Sequence, residues 1–292
     1  MHQKQSIPAK LIPYLFLFPG FALYTIFQLI PLIRLFIFSF EDWNGLIAPK
    51  WIWFKNYITL FASNKFWSAV SHNAWWVVLA TLPIIIGLAL AVLLDQAKPR
   101  GRNIYRTFYF LPYTLSVIVV GVAWKWIYHP DIGPIGPFFK SIGLNFLDHA
   151  WLGDPHTALT ALALAGAWVG YGFCMVLFLA GLAAIDRTLY DAARIDGANA
   201  WQQFQYVTIP GLSNTLNVVI LIVFINTVRV FDFVFVTTNG GPVDSTTVLG
   251  LVTYRETFSN LKIGYGSAVA VVTCLIIVAV SLIYLFIRER RS

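Results

Sequence analysis

Six apolar runs, each long enough to cross a hydrocarbon core, divide this 292-residue chain at 11–40, 69–94, 107–128, 158–184, 216–237 and 264–287. A core of roughly 30 Å takes about 20 helical residues to cross. Lipid offers no partner to backbone N–H and C=O groups, so such runs must be helical or closed into a barrel. They are too long and too uniformly apolar for barrel strands. The expectation is an all-α, polytopic membrane protein with about six transmembrane helices in a single domain over 1–292. Composition agrees: 58% of the residues are hydrophobic and 11% charged, where a soluble domain carries about 25% charged residues.

The first run follows Lys4 and Lys10. It extends well past the roughly 7–15 residues of a secretory signal core and shows no clear small-residue cleavage site, so it reads as a retained helix. Cys174 and Cys274 each fall inside a run and read as packing residues rather than a disulfide or a metal site. His2, His72, His129, His149 and His156 show no metal-ligand spacing. A cluster of His149 and His156 with Asp148 and Asp154 reads as a solvated loop, and no metal or cofactor is expected on the chain.

A net charge of +7 does not point to nucleic acid, because the basic residues flank the runs instead of forming a continuous patch. With the N-terminus inside, the inner segments hold Lys4, Lys10, Lys98, Arg100, Arg102, Arg106, Arg187, Arg194, Arg288, Arg290 and Arg291, eleven in all. The longer outer segments hold seven: Lys50, Lys55, Lys65, Lys125, Lys140, Arg255 and Lys262. Arg34 and Arg229 lie within runs. The positive-inside rule therefore favours both termini in the cytoplasm.

The outer segment 41–68 carries Trp43, Trp51, Trp53 and Trp67, the aromatic density of a membrane–water boundary. Segment 129–155 is rich in Pro and Gly and reads as an outer loop with a short interfacial helix. Gly166 and Gly170, joined by Gly172 and Gly181, form a small-residue stripe on the fourth run that lets a neighbouring backbone approach.

The polar interruption at 185–212 is the most informative stretch for function. Leu189, Ala192 and Ala193 fall at i, i+3 and i+4, and Trp201, Phe204 and Val207 or Thr208 give a second apolar stripe, so two short helices fit. The Asp196-Gly197 pair supplies the bend between them, and Pro210 is expected to end the second. Small residues Ala192, Ala193 and Ala198 suit close entry into a groove, with Asp191, Arg194 and Asp196 offering charge at its rim. The alternative, an amphipathic helix lying on the leaflet, favours Lys and Arg, whereas this loop has more acids than bases.

Asp191-Ala192-Ala193, then Gly197, then Ile209-Pro210 resembles the Glu-Ala-Ala loop of permease subunits in ATP-driven, binding-protein-dependent importers, with Asp191 standing where glutamate is usual. Phe231-Asp232, then Thr237-Thr238-Asn239-Gly240-Gly241-Pro242, and Tyr254, Phe258 and Gly264 through Ala268 are similar to carbohydrate-type permeases, in particular the first permease of maltose, lactose and glycerol phosphate importers. The resemblance implies a type I ABC importer permease fold. It also implies a pore shared with a second homologous permease, and a coupling loop docked on one of two ATPase subunits. ATP and Mg²⁺ would be held on those subunits, and an extracytoplasmic solute-binding protein would deliver a carbohydrate. The chain lacks a G-x-x-x-x-G-K-[ST] phosphate loop, so it is not expected to be an enzyme.

Arg229 and Asp232, three apart in the fifth run, are expected to share a helix face. Ionisable groups at membrane depth face a cavity or each other, and both readings stay open. Asn226 one turn earlier, with Trp168 and Tyr171 on the fourth run, completes a candidate substrate path. The competing function, a stand-alone secondary transporter, predicts broken helices in two corresponding halves, and the two halves of this sequence show no correspondence.

Overall fold

The computed structural model describes residues 12–97, 99–147 and 149–290; Leu11 of the first run and His2, Lys4, Lys10, Lys98, Asp148 and Arg291 lie outside them. All six apolar runs fall on helices. Among the described residues, four helices are continuous and apolar enough to cross a membrane: Tyr14–Phe38, Asn64–Ala97, Ala158–Ala183 and Ile263–Arg288. Two further pairs pass the same test only when taken together across sharp bends.

The third run is one such pair. Arg102–Thr114 and Val117–Ile127 meet at 92°, where a straight helix over 107–128 was expected. Pro112 removes one backbone donor near the end of the first piece. Leu115 and Ser116 then adopt extended backbone, with Ser116 in the N-cap position of the second piece. The fifth run is also interrupted. Its helix ends at Val228, and a new one begins at Asp232 and closes at Thr237.

Pro210 does not end the second loop helix, which continues through Gly211 and meets Ser213–Val228 at 70°. A π-turn over Phe204–Thr208 precedes it, with Ile209 N–H donating to Phe204 C=O. The same device precedes Pro31: Ile30 N–H donates to Thr25 C=O at the end of the π-turn Thr25–Leu29. Widening the turn by one residue moves the carbonyl that a proline ring would strike, so the helix passes the proline without breaking.

The chain divides into two compact units. The first comprises the described residues up to Ser63 together with Thr253–Leu275. Its first span is exposed along its length, Phe16 by 82%, as an apolar helix built for lipid or another membrane helix must be. After that span, Glu41–Asp42 pairs antiparallel with Lys50–Trp51. Buried Asn56 fixes the turn from below, its Nδ2 donating to the carbonyls of Ser39 (3.0 Å) and Glu41 (2.9 Å). Trp51, Trp53 and Trp67 are exposed, whereas Trp43 is half-buried against the Phe38 ring, with centroids 4.4 Å apart.

The second unit, the described residues of Asn64–Val252 and of the chain from Ile276 onward, is built around the fourth span. Its core gathers Leu94 from the second span, Met175, Phe178 and Leu182 from the fourth, and Leu212 and Val219 from the start of the fifth. Gly172 explains how the bent third run packs here: a Cβ at that position would lie 2.0 Å from the Tyr109 carbonyl oxygen, so only glycine admits that backbone. Gly166 differs from the expected backbone contact and faces the Trp76 ring. Cys174 is fully buried in this core, whereas Cys274, also expected to be a packing residue, is exposed. In the loop before the fourth span, Ile135–Ser141 forms the short helix anticipated there.

Candidate functional site

The polar loop is an ordered two-helix element. Asp186 opens the first helix, Arg187–Ile195, by accepting from Thr188 N–H at 2.9 Å. That hydrogen bond, with a second from the Thr188 hydroxyl, holds the Asp186 carboxyl below the usual range. The helix closes on Gly197 at φ +79°. Gly197 N–H donates to Arg194 C=O (3.0 Å) and Ala198 N–H to Ala193 C=O (2.9 Å), the pattern of a glycine-terminated Schellman motif. The chain then starts again at once. Asn199 and Gln202 form a reciprocal capping box that opens the second helix at Ala200. The Asp-Gly bend was legible in the sequence; the Asn-x-x-Gln signature two residues later was overlooked.

The loop has a face held by the core and a face largely exposed among the described residues. Tyr190 and Val207 pack against the core cluster, and the Tyr190 hydroxyl meets Thr208 Oγ1 at 3.0 Å. Facing away are Leu189, Trp201 and Tyr206, more than half exposed, and Ile195, 86% exposed. Ala192 is exposed, Ala193 and Ala198 half-buried. Asp191 and Arg194 pair with each other at 2.8 Å on the exposed side, while Asp196 forms the C-cap.

A residue that sequence reasoning missed anchors this loop. Asp95, in the last turn of the second span and 7% exposed, receives both Arg187 (3.1 Å) and Arg102 (3.2 Å) on the same carboxylate oxygen. The bond to Asp95 raises the already high Arg187 pKa. An acid at a helix C-terminus opposes the helix dipole, and the two guanidiniums offset that cost. Beside this junction lies a polar cavity of about 320 Å³, lined by Gln96, Arg194 and Gln203 among others.

The candidate substrate-path residues do not converge. Asn226 lines a cavity of about 250 Å³ with Trp76, Tyr113, Phe173, Thr227 and Phe233. Trp168 instead packs edge-on against Trp124 (5.6 Å) and Tyr171 against Tyr109 (6.3 Å). Arg229 and Asp232 are exposed, and no ion pair joins them among the described residues. They do not share a helix face, because Arg229 caps the C-terminus of one helix and Asp232 begins the next. Each charge is thereby complementary to the dipole of its own helix end.

The break is held by Asn73 of the second span, also unnoticed in the sequence. Its Nδ2 donates to Val228 C=O (3.1 Å), and its Oδ1 accepts from Leu249 N–H (2.8 Å). Neighbouring His72 meets the Thr247 carbonyl through Nδ1 at 2.8 Å. The turn after the break is pinned by Thr246, whose hydroxyl donates to Gly241 C=O at 2.8 Å and meets Thr238 Oγ1 at 2.7 Å. Val243 stands 90% exposed at its tip.

An all-α, multi-pass membrane chain with an ordered polar loop between its fourth and fifth spans fits the permease class of transport subunit. The chain belongs to the family of binding-protein-dependent transport system inner membrane components, matched over residues 84–292. It is 35% identical over 280 residues to a probable ABC transporter permease protein of Pyrococcus horikoshii, covering 94% of this chain and 95% of that protein. It is 31% identical to the probable starch degradation products transport system permease of Thermoanaerobacterium thermosulfurigenes and 31% identical to the lactose transport system permease of Rhizobium radiobacter, in each case over 96% of this chain and 94% of the relative. A chain of a bacterial ABC transporter involved in the import of the acidic polysaccharide alginate has the same fold, with a TM-score of 0.80 at 22% identity over 96% of this chain and 95% of that one.

Proposed function

We propose that this chain is the permease subunit of an ATP-driven, binding-protein-dependent carbohydrate importer in a bacterial-type inner membrane, with both termini cytoplasmic. It forms the pore with a second, homologous permease. Two separate ATPase subunits hold ATP and Mg²⁺ and carry out hydrolysis, and an extracytoplasmic binding protein delivers the sugar against the opposite face, where Val243 stands exposed at the tip of the Thr238–Thr246 turn. The starch-product and lactose permeases among its relatives favour a carbohydrate.

The observation that carries this reading is the outward face of the polar loop. Leu189, Ile195, Trp201 and Tyr206 project from two well-capped helices, each more than half exposed among the described residues. Apolar side chains presented on a rigid polar element are the anatomy of a docking surface. Asp191, Ala192, Ala193, Arg194, Asp196, Gly197 and Ala198 form its knuckle, seated in a cleft of the ATPase. Substrate passes beside Asn226, with Trp168, Tyr171, Arg229 and Asp232 as further candidates along the path.

Gentle purification from native membranes, with mass spectrometry of what accompanies the chain, tests the reading. Recovery of an ATPase and a second permease with the intact protein, and loss of the ATPase alone from a Gly197→Pro variant, is the expected result. Recovery of the chain alone in both cases overturns it. Replacing Arg229 with Gln and measuring sugar uptake tests the path, and unchanged substrate affinity removes that residue from it.

A further inference from the structure

Asp95 ties three helices together through one carboxylate oxygen at this end of the second unit. It lies in the last turn of the second span. Arg187 is the first residue of the first loop helix, and Arg102 the first of the helix that leads to the 92° elbow at Leu115 and Ser116. The loop is joined to the fourth span covalently through Ala184 and Ile185, but towards the second span it faces the polar cavity of about 320 Å³. Across that gap the Arg187–Asp95–Arg102 bridge is the ionic connection, and both arginines meet one oxygen. A buried carboxylate shared by two guanidiniums is stiff in direction and costly to leave unpaired.

We propose that Asp95 is a positioning residue that carries movement of the loop to the second span and to the elbow of the third. The inference rests on the docking reading above. A push on the helix Arg187–Ile195 pulls Arg187 against Asp95. Because Arg102 shares the same oxygen, the helix Arg102–Thr114 turns with it. Without the carboxylate the loop still folds and still docks, since its caps and its Tyr190–Thr208 contact do not involve Asp95, but the ionic tie through which its motion turns the helix Arg102–Thr114 is gone.

The test uses the complex purified from native membranes and reads Ile104→Cys, a position 74% exposed in the helix that Arg102 opens, in a Cys274→Ser background; Cys174 is buried and stays. The rate of maleimide labelling at position 104 is measured with and without ATP and Mg²⁺. The expected result is an ATP-dependent change that Asp95→Asn reduces about fivefold or more, with the ATPase still copurifying and with Asp95→Glu restoring the response. Arg187→Gln gives the same loss, and adding it to Asp95→Asn makes nothing worse. If Asp95→Asn does not accumulate, the half-exposed Arg187→Gln decides the matter by itself. An equal response in wild type and variants overturns the inference while leaving docking intact. Loss of the ATPase from the Asp95→Asn complex also overturns it, because the residue would then serve docking and not transmission. A wild-type chain that holds no ATPase overturns the docking reading itself.

Discussion

Asn73 donates to the carbonyl of Val228 at 3.1 Å, so that a side-chain amide on the second span satisfies the last residue of a helix that stops inside the fifth. The same amide accepts the N–H of Leu249, the first residue of another helix. Two backbone groups orphaned by helix ends are thus met by one buried residue, 4% exposed. Interrupted backbone is tolerated within a bilayer only where protein or water meets such groups.

Asn73→Leu keeps the approximate size and removes both partners. Each buried group left unpaired costs about 1–3 kcal/mol, so the variant should melt at a clearly lower temperature in detergent. Ser71→Ala, two residues away and exposed, should change stability by less than about 0.5 kcal/mol. Equal melting of the two variants would show that the break in the fifth span does not depend on Asn73.

The fourth span supplies a second contrast. Gly172→Ala places a methyl group against the Tyr109 carbonyl, and overpacking of a tight contact costs about 1–3 kcal/mol. Gly166→Ala meets the Trp76 ring no closer than 3.6 Å, and alanine is favoured over glycine within a helix by about 1 kcal/mol. Thermal unfolding should therefore separate them in opposite directions, Gly172→Ala below wild type and Gly166→Ala at or above it.

Acid should loosen the polar loop before it reaches the spans. The Asp186 carboxyl is held below its ordinary value by Thr188. A depressed folded value means that the stabilisation is present above the unfolded pKa of about 3.9 and is lost as pH falls through the lower folded value. Asparagine caps helices about as well as aspartate and does not titrate. Hydrogen exchange at the start of Arg187–Ile195 should rise below about pH 4 in wild type and stay flat in Asp186→Asn; parallel behaviour would remove the cap from the account.

Much of this architecture could be read from the chain because lipid punishes error severely. An apolar run flanked by polar segments has few alternatives to a helix, and a Gly between two amphipathic stretches has few alternatives to a bend, so the spans and the Gly197 turn were both anticipated. What escaped were places where one side chain serves a distant backbone. Asn73 looks like any polar residue near the start of a span until Val228 and Leu249 come to meet it, and Asp95 reads as part of a short basic link until Arg187 arrives from 92 residues away. Pro112 and Ser116 did mark the elbow of the third run, but their signal was overridden by the hydrophobicity around them.

The charges in the fifth run show the same lesson in a form that can be measured. Spacing of three placed Arg229 and Asp232 on one face, which holds only if the helix is continuous. It is not, and each residue is matched to a helix end: a cation at the C-terminus of Ser213–Val228 and an acid at the N-terminus of Asp232–Thr237. Two such contributions, each worth about 0.3–1 kcal/mol, are independent. Arg229→Gln and Asp232→Asn should therefore add in the double variant to within about 0.5 kcal/mol by thermal or denaturant unfolding. A coupling energy of about 1 kcal/mol or more would restore the direct pair and, with it, a continuous fifth helix.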